Sequence, residues 1–364
     1  MMPYRRFELL VSLASVVALW SPCVYSQSGA PSHRVVVDSA LANGWLVVAD
    51  SSAAVPADRA IWQRRFDAAR DTVASVVDWD IASGDANHAL RLITRLSRFW
   101  RGPTLVSAYD RALALPGAQP QVRARALNSA AAAAFRVKDQ ERTRRWAIES
   151  IKMWRVIGDS AQVGRAYERL VQVALREGDH ASLRAFADTG AALCVGAKDE
   201  DCQAYMLNMR GESARVLKQY DSAVAYYSQA GTIYSRLSPS PKLDIVHNMG
   251  FALLAGGHVA EACERFRSGL GTAVAASDRN FYAFMLAGLA SCNAMRGNAT
   301  EAARLFGVSD AQLDQLGIVA DPADAVEYER YRTVARTGIG SAAFDAAVKA
   351  GRLLPIDSVI AAFR

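Results

Sequence analysis

Residues 203–237 read QAYMLNMRGESARVLKQYDSAVAYYSQAGTIYSRL. Apolar residues recur at helical spacing on both sides of Lys218-Gln219, and Gly211, Ala223 and Ala230 are the small residues among them. This is the pattern of two helices joined by a tight turn. Small residues belong where the two helices approach closely, because a larger side chain would hold the backbones apart. The stretch therefore predicts a helical hairpin with its interface at those three positions.

The same phase continues in both directions. Turns of the same kind fall at Lys138-Asp139, Gly178-Asp179, Lys218-Gln219, Gly257-His258 and Gly297-Asn298. Five residues after the first turn position lie Thr143, Leu183, Ala223, Ala262 and Ala302, at intervals of 40, 40, 39 and 40 residues. Twelve residues before that set lie Ala131, Val171, Gly211, Gly250 and Ala290; seven after it lie Ser150, Gly190, Ala230, Gly269 and Ser309. The second helices add apolar residues at three- and four-residue spacing, as in Trp146, Ala147, Ile151 and Trp154, or Val224, Tyr227, Ile233 and Tyr234. A fixed interval over five units predicts stacked repeats. The composition agrees: the chain is rich in Ala, and Pro103, Pro116, Pro120, Pro239, Pro241, Pro322 and Pro355 fall between the expected helices. The expected fold is all-α, an α-solenoid of helix-turn-helix repeats with helical caps.

This pattern resembles the tetratricopeptide family, whose repeats carry small residues at the eighth, twentieth and twenty-seventh positions. The period of 39–40 exceeds the usual ~34 residues. It resembles the long-repeat arrays of bacterial STAND-type transcriptional activators and class III cyclases. Their segments end in Leu-Gly-Asp, which Ile157-Gly158-Asp159 matches. Asp67, Ala69, Arg70, Asp71 and Trp79, then Gly84-Asp85, Ala89-Leu90 and Phe99-Trp100, resemble the start of such arrays. Ala302 to Gly307, Tyr328-Glu329-Arg330, Phe344, Ala347 and Gly351-Arg352 resemble their terminal cap. The resemblance covers residues 58–364. Thr143 and Leu183 depart from the small twentieth position, so looser packing or altered angles are expected there. The catalytic and DNA-binding parts of those regulators have no counterpart in this sequence.

The resemblance implies that the first helix of each repeat lines a concave groove that holds a protein or peptide. The groove positions are Arg125, Asn128 and Arg136 in the first repeat; Arg165, Glu168, Gln172 and Arg176 in the second; and Tyr205, Asn208, Glu212 and Arg215 in the third. The fourth contributes Asp244, His247 and Phe251, and the fifth Phe284, Ser291 and Met295. Arginines gather at one end and aromatic or sulfur side chains at the other. Guanidinium groups pair with carboxylates, so the expected partner is a protein or peptide with an acidic end and an apolar end. Ordinary solvated or interhelical side chains are the alternative reading of the same list.

No spacing announces catalysis. The sequence contains no Gly-x-x-x-x-Gly-Lys-Ser/Thr phosphate loop, no Gly-x-Ser-x-Gly elbow and no Cys-x-x-Cys pair. His33, His88, His180, His247 and His258 form no metal-binding helical pair. Asp199-Glu200-Asp201 reads as a solvated turn, and Trp62, Trp79, Trp100, Trp146 and Trp154 read as core. No enzyme activity, cofactor, metal or nucleic acid is expected. Residues 91–155 carry 14 Lys/Arg against 4 Asp/Glu, a local +10 within a chain of net +6. That is a solvated helix surface or a surface for an acidic partner.

The chain starts with Arg5-Arg6 and an apolar run from Leu9 to Trp20, broken by Ser21-Pro22. Twelve residues make about 18 Å of helix, short of a ~30 Å bilayer core. Residues 1–26 are expected to be a signal peptide cut at Ser26/Gln27, which places the mature chain in the periplasm or outside the cell. The alternative is an uncleaved leader on a cytoplasmic or membrane-tethered regulatory module, working beside a separate signalling or transcription protein. The mature chain keeps Cys194, Cys202, Cys263 and Cys292. Cys194 with Cys202, across an interhelical loop, and Cys263 with Cys292, on consecutive helices, are candidate disulfides; buried free thiols are the alternative. The expected organisation is a lead of undecided structure over 27–57, three lead-in helices over 58–115, five repeats over 119–318 and a helical cap over 322–364.

Overall fold

Eight interhelical turns share one backbone device. The first turn residue takes a positive φ: Lys138 (64°), Gly158 (86°), Gly178 (70°), Lys198 (56°), Lys218 (59°), Gly257 (88°), Ser277 (53°) and Gly297 (82°). The next residue's N–H then donates to a carbonyl five residues back, at 2.8–3.1 Å in every case, from Asp139 to Ala134 through Asn298 to Asn293. This bond satisfies an orphan carbonyl of the outgoing helix. In four of the five turns whose second residue is Asp, its carboxylate also caps the incoming helix; Asp278 makes no such bond. Asp139, Asp159, Asp179 and Asp199 accept from the backbone N–H of Arg142, Gln162, Ser182 and Cys202. One short motif thus stops one helix and starts the next.

The structure is a computed structural model that describes residues 37–54, 59–100, 102–238, 240–318 and 322–363. All regular elements among them are helices. The expected leader, residues 1–26, lies outside the described residues. The chain divides between Met153 and Trp154 into two units.

In the first unit, α1 (Ser39–Ala54), α2 (Arg59–Ala68), α3 (Arg70–Ser83), α4 (Ala86–Leu96) and α5 (Pro103–Ala114) precede α6 (Pro120–Arg136) and α7 (Gln140–Ile157), which runs across the division. The described part of the undecided lead, residues 37–54, is therefore one helix but for its first two residues. The lead-in contains four helices, not three, because Ala69 (φ −102°, ψ 13°) interrupts the run between α2 and α3. Helix α4 is central, with Leu90, Leu92 and Ile93 fully buried.

The second unit continues as helix pairs: α8 (Ser160–Glu177) with α9 (His180–Gly196), α10 (Glu200–Val216) with α11 (Tyr220–Leu237), α12 (Leu243–Ala255) with α13 (Val259–Ala275), and α14 (Arg279–Met295) with α15 (Ala299–Leu316). It ends with α16 (Pro322–Ile339), α17 (Ser341–Arg352) and α18 (Ile356–Ala361). The small positions are buried as the phase predicts. A Cβ on Gly250 would stand 2.5 Å from Cζ of Phe266, and one on Gly211 would run into the ring of Tyr227. The two large departures are absorbed. Thr143 is fully buried and donates its hydroxyl to the Asp139 carbonyl at 2.7 Å; Leu183 is fully buried in the core with Val171 and Met206. Ser150 and Ser309, at the same repeat position, each donate at 2.9 Å to the first helix, to the carbonyls of Ala124 and Ala283.

The cysteines pair as Cys194–Cys202 and Cys263–Cys292, each with Cα atoms 5.7 Å apart. Gly164 on α8 lies against the first pair: a Cβ there would be 2.7 Å from the Cys194 sulfur.

Gly250→Ala should lower stability by about 1–3 kcal/mol through overpacking against Phe266. Pairing it with Phe266→Leu should cost less than the sum of the two single variants, measured by urea denaturation.

Candidate partner-binding face

The inner face expected from the repeat register divides between the two units. In the first, Arg125 and Arg136 are exposed, and an Arg136 Nη donates to the Ser97 carbonyl at 3.4 Å. Asn128 is half-buried, and its Oδ1 has no hydrogen-bond partner.

In the second unit the residues fall into an engaged group, an open edge and a covered patch. Arg165 binds Asp199 through two nitrogens, at 2.7 and 2.8 Å, and so ties α8 to the turn that starts α10. Gln172 accepts from Arg169 at 2.8 Å, and Arg169 also donates to Glu168 at 2.8 Å. Burial pushes the Glu168 carboxyl and the Tyr205 phenol above their usual ranges. Arg176, half-buried and itself engaged, stands beside the open edge. It lines a cleft of about 760 Å³ between the end of α8, the end of α10 and α16. His180, Arg215, Lys218, Tyr220, Val326 and Arg330 are among its walls. Val326 is 72% exposed. Met295 is 41% exposed, and Asp244 is exposed as well.

The covered patch corrects the expectation of an open groove at its far end. Asn208, Arg215, His247 and Phe251 are 0–4% exposed. Asn208 accepts from Asn248 at 3.2 Å. The other three lie beneath α16. Arg215 donates to Glu212 at 2.7 Å and faces Asp324 at 3.5 Å and Glu327 at 3.8 Å. The His247 Nε2 and the Tyr328 hydroxyl are 3.0 Å apart, and Phe251 meets the rings of Phe266, Tyr328 and Tyr331 at 5.0, 5.5 and 6.2 Å. Repeat register assigns faces only among helices that keep the register, and α16 does not. Its contribution was readable only as periodicity: Asp324, Glu327, Tyr328, Tyr331 and Ala335 follow i, i+3, i+4, i+7, i+11 and share one face.

Packed helix pairs, small residues at close approaches and a constant turn together decide the fold. It is a tetratricopeptide-like repeat fold. Among solved structures, aspartyl phosphate phosphatase F from Bacillus subtilis is similar, with a TM-score of 0.56 at 13% identity over 77% of this chain and 75% of that one. RapI in its apo form (TM-score 0.48, 15% identity, 65% of this chain and 92% of that one) also matches. So does a Rap protein complexed with competence and sporulation factor (0.47, 13%, 82% and 97%). These likenesses are of fold. No protein-family model matches the sequence, and no curated protein matches it. Among the described residues no helix is long and apolar enough to cross a membrane.

Burial raises the Glu327 carboxyl, so the folded chain holds that proton more tightly than the unfolded one. The stability this lends is present at low pH and is lost as pH rises through the raised value. Glu327→Gln should therefore lose less stability than the parent as pH rises above the ordinary carboxylate range, read from urea midpoints at each pH.

Proposed function

We propose that the chain is a protein-protein interaction scaffold that captures a peptide or protein on the concave face lined by the first helices of its repeats. One observation carries this reading. Arg176, assigned to the inner face from repeat register, meets Lys218, Arg330 and the exposed Val326 around one open cleft of drug-sized volume. Cationic groups beside an exposed aliphatic side chain suit a segment that presents carboxylates next to apolar residues. A tetratricopeptide-like fold supports the reading, because stacked helix pairs present a long surface without forming a closed catalytic pocket. The role is binding, with no cofactor, metal or nucleic acid required.

We also propose that the protein is exported. The apolar run behind Arg5-Arg6 supports a cleaved leader. The pairing of all four cysteines beyond it supports an oxidising compartment.

Arg176→Glu combined with Lys218→Glu should weaken capture of the physiological partner at least tenfold without loss of helical circular dichroism; capture at the parental level would overturn the face. Mass spectrometry of the natural product should find the mature chain starting at Gln27, with no thiol open to alkylation before reduction. An intact leader would return the protein to the cytoplasmic or membrane-tethered regulatory reading.

A further inference from the structure

Helix α16 does not stack as the other helices do. The repeat series closes on α17, which packs directly on α15. Side chains added at Gly307 and Gly351 would run into the backbone carbonyls of Val348 and Arg304, so these two helices meet backbone to backbone. With one side of α15 covered by α17, α16 lies across the inner face and touches α10, α12 and α14 in turn, while Arg332 ties it to Asp310 and Phe306 of α15.

Its contact face has a definite chemistry. Asp324 and Glu327 meet Arg215, and one turn on Tyr328 and Tyr331 meet His247 and Phe251. Carboxylates lead and aromatic rings follow, in the order in which the inner face offers a guanidinium and then an aromatic cluster. The seat is incompletely matched. The Arg215 Nε, a Glu327 oxygen and the Tyr331 hydroxyl have no hydrogen-bond partner. The flank of α16 that carries the exposed Val326 and Arg330 borders the open cleft. At its far end Gly340 turns the chain at φ 81°.

We infer that α16 occupies the seat of the partner, and that the partner is an amphipathic helix with acidic residues at i and i+3 and aromatic residues at i+4 and i+7. This rests on the binding role proposed above and gives it a ligand class. The partner helix takes the Arg215, His247 and Phe251 contacts with α16 lifted, and α15 and α17 stay packed. The open cleft is where displacement starts.

A fluorescein-labelled peptide of residues 322–339 is the probe, titrated by anisotropy against the full chain. The chain carrying Tyr328→Ala and Tyr331→Ala keeps the seat and loosens its own α16. It should bind the peptide at least tenfold more tightly than the parent, and a peptide with the same two alanines should not bind. Glu327→Lys, which sets like charges beside Arg215, should act in the same direction if the double variant loses helicity. In the unmodified chain, hydrogen exchange should open α16 before α15 and α17. Three outcomes overturn the inference: no binding to either loosened chain, equal binding of the alanine peptide, or exchange of α16 only together with its neighbours. If partner capture still depends on Arg176 and Lys218 in those cases, the scaffold reading stands and this inference alone falls.

Discussion

Two helices can come together at backbone distance only where one of them lacks a side chain, and the whole repeat is arranged around that constraint. Gly211 lies under Tyr227 and Gly250 under Phe266, each sixteen residues apart. At the same separation the other repeats place Ala147 after Ala131, Ala187 after Val171 and Phe306 after Ala290, all of them buried. A first helix with no side chain there is matched by a ring, and one with a valine is matched by an alanine. At Gly211 and Gly250 the ring fills the space the missing side chain leaves, at the density that protein interiors require. The 39–40-residue period and the tight turns follow from the need to bring that pair together again in every unit.

The same contact reaches the inner face. The Tyr227 ring that packs on Gly211 sends its hydroxyl to Glu212 at 2.6 Å, and Glu212 accepts from Arg215 at 2.7 Å. A buried guanidinium demands carboxylates, because charge taken out of water is costly unless it is paired. Asp324 and Glu327 of α16 help to meet that demand from the other side. Close packing between two helices of one repeat, a buried ion pair and the seating of a distant helix thus form one chain of contacts. The disulfide Cys194–Cys202 is built in the same manner, with Gly164 leaving room for its sulfurs.

Much of this was legible in the sequence because it is local. The αL turn residue, the capping Asp and the small positions all act within one repeat, and each leaves a mark at a fixed spacing. Thr143 reads as a departure in sequence, yet its hydroxyl returns to the Asp139 carbonyl one turn back, a bond no residue-type pattern records. The inner-face list is legible to the same limited degree. Register places Arg176 and Arg215 toward one side, and both line the open cleft. Register says nothing of what covers Arg215, His247 and Phe251, since the covering residues come from outside the periodic part.

By itself the sequence determined the helical hairpins, their period, the turns and the residues at which helices touch, because each depends on neighbours at most one repeat away. The tertiary structure alone decided that α17 rather than α16 continues the stack, and that α16 turns its acidic and aromatic face inward. That choice is a competition between two amphipathic helices for two surfaces. The glycines at 307 and 351 settle it by letting α17 approach α15 more closely than any side chain would allow.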